Sequence, residues 1–368
     1  MALTVMEVLH QPGGSGSVLS TLHLSLALAR AGVHVRFVCP PNSEVEEAAR
    51  AGGLEVHPVL LPKRARRRNA RMLEAVLRAH PVDLVNSQSA RDREALAWLG
   101  LTGRLKCPLI VTRRQMPYTF FIENWVVSRV AARVIAVSTP VADALARLGT
   151  PRARLAVIPN GLVVERVDAP VAPGAVEDWR RRIGWEPSRR VVAIVSRLKD
   201  QEVVLRALDR VMTPVRLVLA GIETPERRGA MERLATRVPS RHAVVVLPFE
   251  PDVRPLYELI ELALLPSRME GLPQALLEAM ALGKPVIASA ASGNLDLVRD
   301  GEDGLLVPPL DPQAWAAAME RVLGEAPLAQ RFAASGRSRA RDEFSLQRTA
   351  ERTLALYRDV TAHAAVLR

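Results

Sequence analysis

Two glutamates stand eight positions apart in the stretch EGLPQALLE, Glu270 at its start and Glu278 at its end. Pro273 suits the first turn of a helix, because the N–H it lacks is one a helix leaves unpaired there anyway. The stretch therefore predicts a helix beginning at Leu272 or Pro273. Glu270 then lies in the loop before it, and Glu278 lies roughly one and a half turns inside. The first N–H groups of such a helix face outward and favour an anion. Two carboxylates on either side of them can accept hydroxyl groups from two parts of one elongated ligand. Sugars and riboses offer hydroxyl pairs of that kind, with phosphates between them at the helix start. The plainer alternative is a pair of solvated helix charges.

A second stretch, Gly13-Gly14-Ser15-Gly16, follows an apolar run and opens a helical one. Glycines let a backbone approach a phosphate closely, and the helix start supplies free N–H groups. The stretch lacks both the G-x-G-x-x-G spacing and the Lys-Ser/Thr pair of a P-loop. A tight strand-to-helix turn explains it equally well.

Short apolar runs at 3–9, 33–39, 82–87, 108–113, 133–138 and 155–160 alternate with helical patterns. Leu19, Leu22 and Leu26 share one helical face, and Gly32 ends that helix. The pattern restarts after the Pro-rich segment 163–188, with runs at 190–196, 215–221, 243–249, 261–267, 285–289 and 304–308. This is α/β alternation, and it predicts two doubly wound parallel sheets in tandem with a cleft between them. The expected division is 1–165, a linker at 166–188, a second domain at 189–345, and a helix at 346–368 crossing back to the first domain. In such sheets ligands lie at the carboxyl ends of the strands.

The 368 residues suffice for two domains with real cores, and 49% hydrophobic with 24% charged residues marks a globular chain. No run of eighteen apolar residues predicts a membrane span. The N-terminus reads as a first strand instead of a signal peptide. Two cysteines, Cys39 and Cys107, fit a cytoplasmic protein without disulfides. Residues 1–160 hold 21 Lys/Arg against 11 Asp/Glu, so they carry nearly all of the net charge of +11. That asymmetry suggests an anionic partner for the first domain. Its densest part is Lys63, Arg64, Arg66, Arg67, Arg68 and Arg71, which reads as a solvated helix start or a patch for anionic lipid. Without interleaved aromatics, nucleic acid is not expected there. His10, His23, His34, His57 and His80 read as strand, turn or helix residues and not as a ligand cluster, so no metal site is expected. Trp98, Trp125 and Trp179 read as packing residues.

EGLPQALLE, with AMALGKPVIAS and VRDGEDGLLVPPLD after it, closely resembles the donor-binding region of glycosyltransferase family 4. GGSGSV, VIAVST, VIPNGL and SRLK resemble further segments of that family, so the resemblance spans nearly the whole chain. It implies two facing Rossmann-like domains, the GT-B arrangement, and a sugar transfer from a nucleotide-diphosphate sugar with retention and without metal or other cofactor. By the same resemblance Glu270 contacts the transferred sugar or lies on its far side. The backbone of Gly271, Leu272, Pro273, Gln274 and Ala275 holds sugar hydroxyls and phosphate, and Glu278 binds the ribose. Arg197 holds the diphosphate, Lys199 reaches in beside it, and the segment 247–257 with Phe249 lies against the base. Gly13, Gly14, Ser15 and Gly16 face the diphosphate across the cleft. Arg197, Glu270 and Arg114 are the implied catalytic residues.

The chain departs from the family pattern at three places. Glu202 stands where relatives carry a lysine, Arg114 where they often carry a histidine, and Asn86 and Gln88 replace a further histidine. Arg113 and Arg114 read as binders of an acidic acceptor or phosphate, or as loop charges. The expected acceptor is anionic or lipid-linked, on a cell-envelope glycan, with the enzyme peripheral at the inner face of the membrane. The competing readings are a sugar-nucleotide-binding subunit that has lost catalysis and a non-hydrolysing sugar-nucleotide epimerase.

Overall fold

A computed structural model describes residues 2–14, 16–117 and 121–366. The chain divides into two compact units, 1–161 with 344–368, and 162–343.

The first unit alternates strand and helix: β1 (Thr4–Val8), α1 (Gly16–Arg30), β2 (His34–Cys39), α2 (Glu44–Ala51), β3 (Glu55–Pro58), α3 (Arg66–Ala79), β4 (Leu84–Ser87), α4 (Ala90–Leu101), β5 (Leu109–Arg113), α5 (Phe121–Val130), β6 (Arg133–Ala136), α6 (Thr139–Arg147) and β7 (Leu155–Val157). All seven strands are parallel, in the order β3-β2-β1-β4-β5-β6-β7. The central strands are continuous apolar runs because helices cover both faces. Val5, Phe37, Leu84, Ile110 and Ile135 form the middle of the core.

β3 escapes the sequence reading. Its EVHP carries two polar residues and a proline, a composition tolerated at a sheet edge, where one side of the backbone pairs with nothing.

The second unit holds α7 (Val164–Asp168), α8 (Ala175–Ile183), β8 (Arg190–Val195), α9 (Glu202–Ala207), β9 (Val215–Ala220), α10 (Pro225–Ala235), β10 (Ala243–Leu247), α11 (Arg254–Leu259), β11 (Leu262–Leu265), α12 (Gln274–Ala281), β12 (Val286–Ser289), α13 (Asn294–Leu297), β13 (Leu305–Val307), α14 (Pro312–Gly324) and α15 (Ala326–Glu343). Its six parallel strands run β10-β9-β8-β11-β12-β13. Residues 166–188, expected as a linker, carry most of α7 and all of α8, and α8 buries Trp179 and Ile183 within this unit.

The last helix, α16 (Leu346–Val366), belongs to the first unit, where Ala350, Leu354, Tyr357 and Val360 join the core against α1.

In each sheet the strand order reverses direction at one place: between β1 and β4 in the first, between β8 and β11 in the second. The loops leaving neighbouring strands there diverge to opposite faces and open a crevice at the carboxyl end. Both candidate stretches belong to those loops.

Candidate functional site

In the second unit the loop 196–201 leaves β8 and the loop 266–273 leaves β11. Several bonds fix the second loop. Asp200 accepts from Arg268 N at 3.0 Å and pairs with its guanidinium. Asn294 Nδ2 donates to the carbonyls of Ser267 and Ser289, and Ser292 Oγ donates to Arg268 O at 2.7 Å. Gly293 N donates to Glu270 O at 3.1 Å. A Cβ at Gly293 would lie 1.9 Å from the Gly271 carbonyl oxygen, so only glycine fits that position.

α12 starts at Gln274, one or two residues later than expected. Pro273 is its N-cap with an extended backbone (φ −76°, ψ 108°), so Pro273 lies before the first helical turn. The helix start remains available to an anion. Gln274 Nε2 is buried there without a partner. Glu270 precedes it and pairs with Lys199 Nζ from the β8 loop, so two predicted residues from different loops meet. Arg197 is exposed on the same loop as Lys199, and Gln201 Nε2 donates to its carbonyl at 2.7 Å. Glu202 is the exposed first residue of α9, a position that favours a carboxylate, and pairs at 3.5 Å with Arg206.

Glu278 is half-buried. Burial pushes its carboxyl above the usual range, Arg166 and Arg254 oppose that, and Asp252 reinforces it. Arg254 is held by Asp252 at 2.7 Å and donates to the carbonyls of Arg166 and Ala169. Arg166 escapes the sequence reading; Asp252 and Arg254 fall in the segment 247–257 expected against the base, but nothing in their spacing links them to a glutamate in a distant helix. Phe249, expected against a base, is 65% exposed. Tyr257 OH donates to Ala275 O at 2.9 Å from beneath the start of α12.

In the first unit the glycine turn packs on α2: Val45 N donates to Pro12 O, and a Cβ on Gly13 would lie 2.6 Å from Glu44 Oε2. Gly14 has φ +70°, a left-handed backbone that glycine adopts without strain. Gly16 opens α1, whereas Ser15 lies outside the described residues.

Beside this turn sits a group that the sequence reading passed over. His10 Nδ1 lies 3.0 Å from Asp92 Oδ1 and 2.6 Å from Ser89 Oγ. Asp92 is fully buried, yet hydrogen bonds from His10, Ser89 and Ser87 hold its carboxyl below the usual range despite that burial. An ionised carboxylate only accepts, so Nδ1 carries the proton and Nε2 is left as an acceptor.

Arg113 and Arg114 are not loop charges; both are buried. Arg113 donates to Asn124 Oδ1 at 3.1 Å. Arg114 donates to Thr21 Oγ1 at 3.1 Å, Gln88 Oε1 at 3.3 Å and Asn160 Oδ1, while its Nη2 is buried without a partner. Burial lowers its pKa to about 10, against the opposing charge of Glu7. Glu7 is itself fully buried and accepts from Gln88 Nε2 at 2.5 Å and Tyr357 OH at 2.6 Å. Asn86 donates to the same hydroxyl at 2.5 Å. Asn86, Gln88 and Arg114 thus belong to one polar network with Glu7 and Tyr357.

The basic run has no aromatic within it, yet Arg66 and Arg67 lie 4.7 and 5.7 Å from the ring centroid of Trp98 on α4. Two surface readings are corrected. Trp125 is not a packing residue but 43% exposed on α5, with Phe121 and Ile122 exposed beside it. His34, His57 and His80 are not isolated but surround Glu55. Cys39 is a buried free thiol. No helix among the described residues is long and apolar enough to cross a membrane.

Comparison with known proteins agrees with this architecture. The family model for glycosyl transferases group 1 matches residues 189–325, and that for Glycosyltransferase Family 4 matches 14–166. The D-inositol 3-phosphate glycosyltransferase of Corynebacterium urealyticum is 30% identical over 65% of this chain and 59% of its own length. Across this and two further curated relatives, the matched stretch spans 42 to 60% of the relative's length. The alpha-maltose-1-phosphate synthase of Mycolicibacterium smegmatis is 29% identical over 90% of this chain and 96% of its own. The crystal structure of Anabaena HepE in complex with UDP and glucose superposes with a TM-score of 0.82, at 19% identity, over 97% of this chain and 100% of that one. Residues 14–166 are thus a Glycosyltransferase Family 4 domain and residues 189–325 a glycosyl transferases group 1 domain, and their two parallel sheets have the GT-B fold.

Proposed function

We propose that the chain transfers a sugar from a nucleoside-diphosphate sugar to an acceptor, with retention at the anomeric carbon and without a metal ion at the diphosphate. The observation that carries this reading is the start of α12, flanked by the Lys199–Glu270 pair and carrying the unpartnered amide of Gln274, with Glu278 further along. Diphosphate at that helix start gains backbone N–H donors and the positive end of the helix. Arg197 and Lys199 add cations against a leaving group whose charge grows in the transition state. Glu270 then faces the sugar, and Glu278 accepts the ribose hydroxyls. The UDP seen with a structural neighbour makes UDP the first nucleotide to try.

On the acceptor side, His10 supplies an oriented imidazole whose Nε2 can hold a hydroxyl, and Arg114 offers its free Nη2 to an anionic group. An anionic or lipid-linked acceptor fits the positive charge of residues 1–160, and a peripheral position on an anionic membrane follows from the same charge. A thermal-shift screen of UDP, ADP and GDP and their sugars tests the donor. A ligand at 100 times its dissociation constant adds about 2.7 kcal/mol of stability. No shift with any nucleotide sinks the reading. Turnover of the donor without acceptor into an epimer favours the epimerase instead, and donor binding without transfer to any acceptor extract leaves a binding subunit.

A further inference from the structure

The topology gathers five polar residues at the β3 edge of the first sheet. Glu55 and His57 are i and i+2 on the edge strand β3, so both point to one face. Arg36 on β2 is the register partner of Glu55, and His34, two residues before it, faces the same way. His80 caps the end of α3 and completes the group.

His57 Nε2 lies 2.9 Å and His80 Nδ1 3.8 Å from the same oxygen, Glu55 Oε1, and the three donor atoms are all within 4.8 Å of one another. The two imidazole rings are 4.1 Å apart at their centroids. The other carboxylate oxygen takes His34 Nε2 at 2.7 Å. Arg36 Nε reaches Oε2 at 3.3 Å and Oε1 at 3.2 Å, while its Nη1 donates to Pro81 O at 2.6 Å.

A carboxylate oxygen and two imidazole nitrogens are the donor set of a tetrahedral zinc ion that keeps one open position. Donors around such an ion sit about 3.4 Å apart, so small rotations of His57 and His80 close the triangle. His34 then orients the ligating carboxylate from behind, as outer partners do in zinc sites. The charge of Arg36 weakens the site relative to an uncharged surround.

From this juxtaposition we infer that Glu55, His57 and His80 bind one divalent transition-metal ion of the zinc class, which ties the start of β3 to the end of α3. The ion takes no part in sugar transfer, because its site is on the edge strand β3, two strands away from the switch point between β1 and β4.

The test uses the untagged full chain, treated with EDTA and desalted, then titrated with Zn²⁺ by calorimetry and thermal shift. One zinc per chain and a raised Tm are expected. The His57→Gln/His80→Gln double variant should lose at least tenfold in affinity, and His34→Gln about tenfold. His363→Gln, on the exposed part of α16, should bind as wild type does. Equal Tm values of wild type and variants without zinc show that the variants fold. Should the double variant fail to fold, Glu55→Gln and His80→Gln singly carry the same expectation. Absence of zinc uptake by the wild type, or uptake that survives in the cluster variants, overturns the inference. Because the readout is zinc and not sugar transfer, its failure is separable from failure of the donor reading.

Discussion

Glu278 and Arg197 make opposite demands on their surroundings. Arg197 is exposed, whereas the half-buried Glu278 has a carboxyl pushed above the usual range. Ribose hydroxyls donate to the ionised form, so nucleotide affinity should rise with pH through the raised pKa of Glu278. Acidification should weaken binding at a higher pH than an ordinary glutamate would dictate. Calorimetry across that range checks it, and Glu278→Gln should flatten the curve. Glu278→Ala should cost about 1.5–3 kcal/mol of nucleotide affinity at neutral pH. Unchanged affinity removes Glu278 from the site. Arg197→Ala should depress kcat more than it raises KM, because the leaving charge develops in the transition state. An effect on KM alone would make Arg197 a ground-state binder. His10→Ala should lower turnover while leaving nucleoside-diphosphate affinity unchanged, since His10 belongs to the first unit and to the acceptor side. The placing of Glu270 before α12 and of Glu278 inside it follows from the sequence, because their spacing around a helix start is local. The grouping of Arg166, Asp252 and Arg254 about Glu278 and the His10–Asp92 pair do not, because each joins residues far apart in the chain.

α16 illustrates how an element's role depends on what it packs against. Its sequence predicts a helix, and its apolar face completes the core of the first unit against α1. Its Tyr357 hydroxyl donates to the buried Glu7 and accepts from Asn86. Tyr357→Phe leaves that carboxylate short of a donor inside the core. It should cost about 1–3 kcal/mol, read as a lower urea midpoint for the transition of the first unit. A change below a few tenths of a kcal/mol would mean that water replaces the hydroxyl. Deleting residues after Glu343 removes the helix outright and should leave the first unit unable to fold cooperatively, as circular dichroism of the truncated chain would show. The sequence shows the periodicity of this helix. It does not show that a tyrosine in its middle meets a glutamate on β1.

The proposed membrane contact rests on the charge of the chain. Residues 1–160 carry a net +10, and Lys63, Arg64, Arg66, Arg67 and Arg68 are exposed. Each cation contributes about 1 kcal/mol near an anionic surface. Salt screens that within roughly 10 Å at 0.1 M. Cosedimentation with anionic vesicles should therefore be strong at low salt and largely lost near ~0.5 M, where the screening length is shorter still. Neutral vesicles should bind poorly, and Arg66, Arg67 and Arg68 changed to Ser should reduce binding without altering nucleotide affinity. The exposed Phe121, Ile122 and Trp125 on α5 add a second expectation: changing all three to Ser should weaken whatever binding survives high salt. Equal binding to neutral and anionic vesicles would show that charge does not drive the contact.

Twelve of the thirteen strands, the helices between them and the EGLPQALLE stretch follow from the sequence alone, because hydrophobic periodicity and turn chemistry are local properties of the chain. β3 failed that test because an edge strand has no need of the apolar run that would reveal it. Tertiary structure decided the rest. Strand order placed the loops after β8 and β11 side by side, so that Lys199 meets Glu270. The carboxyl ends of β1 and β4 brought His10 to Asp92. Burial turned Arg113 and Arg114 from apparent loop charges into members of an interior network. Parallel pairing of β2 with β3, capped by α3, gathered Glu55, His57 and His80 from a span of sequence that carries no motif. In each case the energies come from contacts between residues remote in the chain, which no local pattern encodes.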